Sequence, residues 1–115
     1  KDEFKPLIDN PVKLEGILRM GNREFEKRFG HTALYWRGKN IIQRNAVIAL
    51  GNLGREDSVD ILIGILEHPS PIVRGHVPWA LSKIGVDSLD KVLSKTLKRE
   101  KDERVIKEIK LVLDK

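Results

Sequence analysis

IQRNAVIALGNLGREDSVDILI (residues 42–63) and VRGHVPWALSKIGVDSLDKVL (73–93) are two copies of one pattern. Ile42, Ala46 and Leu50 correspond to Val73, Val77 and Leu81, and again to Val105, Ile109 and Leu113, at offsets of 31 and 32 residues. ALGNLG (49–54) matches ALSKIG (80–85), and DSVDILI (57–63) matches DSLDKVL (87–93). Apolar residues recur at three- and four-residue spacing within each copy, which marks one face of a helix. A period near 31 residues with two helices per copy predicts an α-solenoid, whose units bury their stripes only by stacking.

The punctuation fits that reading. Gly54 and Gly85 suit the left-handed position that ends the first helix of each pair. Asp57 or Ser58, Ser70 before Pro71, Asp87 with Ser88, and Asp102 stand where helix caps are expected. Pro78 falls inside its helix and predicts a kink. Upstream, Leu14, Ile17 and Leu18 predict a short helix ending near Gly21, and Asn22 a cap for a second helix carrying Phe25 and Phe29 on one face. Residues 30–40 read as a loop, and Pro6 and Pro11 as an irregular start. The predicted fold is all-α, about seven helices in antiparallel pairs and a right-handed stack. The predicted division is capping helices and a basic loop over 1–39, repeat 1 over 40–68, repeat 2 over 70–100, and a partial repeat 3 over 102–115. Met20 is the only methionine, so the chain reads as a piece of a longer protein.

The 115 residues suit one domain with one core. No cysteine is present, which removes disulfides, thiolate cluster ligands and Cys-based catalysis from this chain. No apolar run reaches the roughly 20 residues of a membrane span. The net charge of +5 is concentrated. Residues 19–44 hold Arg19, Arg23, Lys27, Arg28, Arg37, Lys39 and Arg44 against Glu24 and Glu26, while acids and bases nearly balance elsewhere. The same segment carries Phe25, Phe29, Tyr35 and Trp36. A local positive field draws polyanions and speeds their encounter.

No active site is visible. His31, His68 and His76 form no metal-ligand spacing, and His68 reads as a helix-end or solvent-facing residue. Ser58, Ser70 and Ser88 are explained as caps rather than nucleophiles. LGNLGRE lacks the lysine and the strand of a phosphate loop. The run KTLKREKDERVIKEIK reads as exposed helix with local ion pairs. The basic segment therefore has two readings. Arg37, Lys39 and Arg44 could meet phosphates while Tyr35 and Trp36 stack on unpaired bases. Alternatively, Tyr35 and Trp36 fill the end of the stack and the bases around them are merely solvated. Arg44 and Arg74, near the starts of successive first helices, could repeat along one binding face or serve structure.

PIVRGHVPWALSKIG (71–85) resembles a HEAT-like repeat of the short variety. REFEKRFGHTALYWRGKNIIQRNAVIALGN (23–52) resembles the start of the C-terminal HEAT-like region of the epoxyqueuosine reductases. The resemblance lies in Arg28-Phe29, the turn Gly30-His31-Thr32, Arg37-Gly38-Lys39, and the run from Arg44 to Asn52. VRGHVPWALSKIG resembles the next element of that family, with Pro78 where a small residue is usual, and the resemblance spans about residues 12–98. It implies a C-terminal piece of a cytoplasmic oxidoreductase of queuosine tRNA modification. The piece would hold the tRNA anticodon arm against catalytic domains of the same polypeptide, with no membrane role. The cobalamin and two four-iron clusters it implies belong upstream, and none falls in this chain. The tRNA contacts it implies fall on Arg37, Lys39, Arg44, Arg74, His31 and Lys83. The rival expectation is a HEAT-like scaffold for protein partners with no RNA role.

Overall fold

The computed structural model describes residues 7–115. Eight α-helices run through them: α1 (Pro11–Arg19), α2 (Asn22–Phe29), α3 (Lys39–Leu53), α4 (Val59–Ile65), α5 (Pro71–Arg74), α6 (Val77–Ile84), α7 (Leu89–Arg99) and α8 (Glu103–Leu113). No strand occurs among the described residues. The packing follows the repeat. α3 packs on α1, α5 and α6, α6 packs on α4 and α8, and α7 covers α8. The result is an elongated stack of 42 × 27 × 21 Å.

The matched apolar triads are the spine of the core. Ile42, Ala46, Leu50, Val73, Val77, Leu81, Val105 and Ile109 are all fully buried. Fully burying one such aliphatic side chain stabilises the fold by about 1.5–3 kcal/mol, so the repeat pattern carries most of the cohesion. Gly54 (φ 66°) and Gly85 (φ 88°) close α3 and α6 alike, each donating its N–H to the carbonyl four residues back, Leu50 and Leu81. Both lie in the left-handed region that costs glycine nothing.

Pro78 sits in the first turn of α6, just beyond a break at Gly75–His76. Its ring cannot pass the carbonyl four residues earlier and it has no N–H to give that carbonyl. α5 and α6 are therefore one first helix broken in two, and counted so the stack has the expected seven helices. The start differs from expectation. Pro11 is not an irregularity but the first residue of α1, behind Asn10, whose side chain accepts from the Lys13 N–H at 3.1 Å. The reading of Pro6 lies outside the described residues.

The caps divide. Asp102 caps α8, accepting from the N–H groups of Arg104 and Val105. Ser58, Ser70 and Ser88 occupy cap positions, yet none makes a side-chain cap bond. Ser58 is fully buried and donates instead to Glu15 on α1 at 2.9 Å. α2 begins at Asn22 itself, with Gly21 at the cap position. The charged C-terminal run is tied further afield than local pairing suggests: Arg99 meets Glu67, Arg74 meets Glu100, and Thr96 is buried.

Candidate nucleic-acid interface

α2 is amphipathic, with Phe25 and Phe29 inside and Arg23, Lys27 and Arg28 exposed. The chain then turns through a 3-10 segment, Ala33–Arg37, within what the sequence suggests is plain loop. Leu34, 2% exposed, anchors this segment in the core. Thr32 ties its start to α2, donating its hydroxyl to the Phe29 carbonyl at 2.8 Å.

Four aromatic rings lead from the core to solvent. Phe29 lies 5.3 Å from Phe25, Tyr35 stacks on Phe25 at 6.0 Å, and Trp36 stands edge-on to Tyr35 at 6.1 Å. Trp36 is 87% exposed. The alternative in which both aromatics fill the end of the stack is corrected for Trp36, whose indole faces water; Leu34, Phe25 and Phe29 fill the core and Tyr35 packs on Phe25.

Gly38, at φ 84° and ψ 151°, lets the chain leave this segment and enter α3 directly. No side chain caps the first turn of α3. The positive end of the helix dipole is left there, beside Arg37 and Lys39. Arg37, Gly38, Lys39 and Asn40 line a groove of about 610 Å³ whose other wall is His68, Pro69 and Ile72. Arg37 is exposed and Lys39 half-buried, and neither makes an ion pair among the described residues.

The other residues singled out in the sequence lie apart from this groove. Exposed His31 lies in the turn after α2. Arg44 is half-buried, its guanidinium donating to the Asn45 side chain at 2.9 and 3.2 Å. Lys83 lies 6.0 Å over the Trp79 ring, beside a separate cleft of about 480 Å³ lined by Ile48, Ile72, His76 and Trp79. Arg74 is corrected outright. It makes two parallel bonds of 2.9 Å to Glu100, and its remaining terminal nitrogen donates to the carbonyls of His68 and Pro69. Its charge is paired and four of its five N–H groups are taken within the chain, so it is held for structure rather than left free for a phosphate.

Sequence reasoning missed the polar seam behind the groove. Gln43 is 1% exposed, and its Nε2 donates to the Ile17, Leu18 and Met20 carbonyls at the end of α1. Its Oε1 lies 2.7 Å from His68 Nε2, and His68 Nδ1 accepts the Ser70 N–H at 2.9 Å. His68 is therefore a half-buried link between Gln43 and Ser70, not a free helix-end residue. The signal was present: Gln43 stands among Ile42, Ala46 and Val47, where an amide facing inward needs partners. Burial, then the charges of Lys39 and Arg74, push the His68 pKa down. Burial raises that of Glu100, but the bonds from Arg74 and from the N–H groups of Asp102 and Lys101 outweigh it, so the carboxyl titrates below its ordinary range.

The chain has no cysteine, and among the described residues no three His, Asp or Glu side chains come together to hold a metal. No helix among them is long and apolar enough to cross a membrane.

Residues 38–114 match the family model for HEAT repeats. The epoxyqueuosine reductase of Bacillus subtilis (strain 168) is 40% identical over 108 residues, which cover 93% of this chain and 28% of that protein. A protein of Geobacillus stearothermophilus, named for its place in the gldA 3' region, is 45% identical over 93% of this chain and 50% of its own length. A crystal structure of an epoxyqueuosine reductase with a tRNA-Tyr epoxyqueuosine-modified tRNA stem loop superposes with a TM-score of 0.83 at 38% identity, covering 88% of this chain and 27% of that one. The chain thus spans 28% of the length of the reductase it matches.

Proposed function

The chain belongs to the HEAT-repeat family, and from that premise we propose that it is the tRNA-holding C-terminal part of an epoxyqueuosine reductase. The observation that carries the reading is the placement of Trp36. An indole that is 87% exposed, on a turn anchored by Leu34 and followed by Arg37 and Lys39, lies outside the core and leaves its faces to solvent beyond the edge contact with Tyr35. It suits an unpaired base, and its neighbours suit the phosphates on either side. The similarity to a reductase solved with a tRNA stem loop supports the same partner.

The role is positional. Arg37 and Lys39 fix the RNA backbone, Arg23, Lys27 and Arg28 extend the positive field along α2, and His31 and Arg44 lie at its margins. Such contacts set register and carry no sequence information themselves. Reading and reducing the modified base falls to catalytic domains of the same cytoplasmic polypeptide, which hold the clusters and cobalamin. A scaffold for protein partners would use the apolar cleft at Ile48, Ile72 and Trp79 instead.

The test is a salt titration of tRNA binding. Wild type is expected to bind with an affinity that falls steeply as salt rises. Arg37→Glu with Lys39→Glu should flatten the log–log slope by about two. Trp36→Ala should weaken binding by about 1–3 kcal/mol with the salt slope unchanged and leave the melting temperature where it is. A folded chain that binds no tRNA at low salt, or a double variant that binds like wild type, overturns the reading.

A further inference from the structure

Gln43 lies 31 residues before Arg74, at the same position of the repeat. The two side chains act alike, one unit apart. Each reaches back to backbone carbonyls at the end of the preceding helix, where such groups lack partners within the helix. Arg74 donates to those of His68 and Pro69, just beyond α4. Gln43 donates from Nε2 to those of Ile17, Leu18 and Met20, at 2.9, 3.4 and 3.1 Å, where α1 closes. Gln43 differs in what its other atom does. With both amide hydrogens given to α1, its Oε1 accepts from His68 Nε2 at 2.7 Å. His68 is thus held twice, by its ring from α3 and by its carbonyl from Arg74.

These same segments enclose the basic groove. Asn22, two residues past Met20, lines one side. Arg37 and Lys39 form the charged edge, with Lys39 one turn before Gln43 on α3. His68 and Pro69 form the far wall. One amide, 1% exposed, therefore ties all three together with every polar atom engaged. Leaving any of those buried groups without its partner is costly, so the walls are spaced by hydrogen bonds of fixed length and not by apolar packing alone. On the reading of this groove as the RNA site, we propose that Gln43 is a positioning residue for RNA. Buried and out of reach of the ligand, it holds Arg37 and Lys39 at a set distance from the His68–Pro69 wall, so that a phosphate lying against that wall meets both cations at once.

A double-variant cycle of tRNA binding tests this, with concentrations corrected for the folded fraction by circular dichroism. Gln43→Met keeps the length of the side chain and removes its polar atoms. Alone it should weaken binding about tenfold; in a chain already carrying Arg37→Gln and Lys39→Gln it should weaken the residual binding, read at low salt, by less than about twofold. A residue that serves stability alone would cost the same factor in both backgrounds. Equal losses, or no loss from Gln43→Met alone, overturn the proposal while Arg37 and Lys39 stand as RNA contacts. A wild-type chain that binds no tRNA, or an Arg37→Gln, Lys39→Gln chain that binds like wild type, removes the RNA reading and this positioning role with it. Should Gln43→Met not fold, His68 decides. His68→Leu cuts the tie to the far wall and leaves the grip on α1, whereas His68→Gln keeps an amide that can donate to Gln43. The leucine variant is expected to lose about tenfold in affinity and the glutamine variant to stay within about twofold of wild type. Equal affinities of the two overturn the proposal.

Discussion

At the scale of single residues, a partner decides what a charge is for. Arg74 and Arg44 look alike in sequence, each near the start of a first helix, but Glu100 takes Arg74 out of play. The side chains of the pair are 17% and 5% exposed, so both charges have given up most of their water. Removing one partner leaves the other buried and unpaired, which costs about 3–5 kcal/mol. Arg74→Met is expected to lower stability by about that much in urea denaturation, and Arg74→Met with Glu100→Leu to recover only part of it, since the Lys101 and Asp102 N–H groups and the His68 and Pro69 carbonyls lose their partners as well. The pair also sets an acid limit. The Glu100 pKa is lowered in the fold, so its contribution is complete above the ordinary carboxylate range and is lost as the pH falls through the lowered value. The double variant should show a flatter acid limb. None of this was legible beforehand, because the partner lies 26 residues away and sequence spacing locates only neighbours. Trp36 was ambiguous for the same reason. Whether an aromatic faces core or water depends on which neighbour, here Leu34, has taken the buried position.

At the scale of elements, periodicity was a reliable guide and capping was not. The apolar triads, the glycine ends of α3 and α6, and the break before Pro78 are consequences of backbone geometry, which is local and so can be read locally. Caps are local too, but a hydroxyl has alternatives. Ser58, in the turn before α4, gives its hydroxyl to Glu15 of α1 rather than to its own helix. Gly51 shows the opposite gap. In the repeat it pairs with Ser82, which gives no hint that small size matters. In the stack it faces Trp79 and Ala80 of α6 with no room to spare. A Cβ there would sit 2.8 Å from the Trp79 ring and 2.9 Å from the Ala80 Cα. The backbone atom cannot give way, so the helices must part. Gly51→Ala should cost about 1–3 kcal/mol through overpacking, despite the better helix propensity of alanine. Thermal unfolding checks it, and a variant as stable as wild type would mean that the crossing of α3 and α6 can widen without cost.

At the scale of the whole molecule, a stack of repeats is bound mainly by contacts between adjacent units. α8 packs on α5, α6 and α7, whereas α1 packs on α3. The charge is divided the same way, with the basic, aromatic end formed by α2, the turn and the start of α3, and a near-neutral remainder. That division was legible from composition alone, since net charge adds along the chain whatever the fold. What the sequence could not supply was the bond between Gln43 and His68, because it spans 25 residues and two elements. The stack therefore has two ends that can be perturbed separately. Ile109 is fully buried in α8, and Ile109→Ala is expected to cost about 2–5 kcal/mol there. In a molecule held by neighbour contacts, that cost appears first as local opening of α8. Amide protection in α8 should drop more than tenfold while protection in α1 and α3 stays close to wild type. A uniform drop across all helices would mean that the chain opens as one unit.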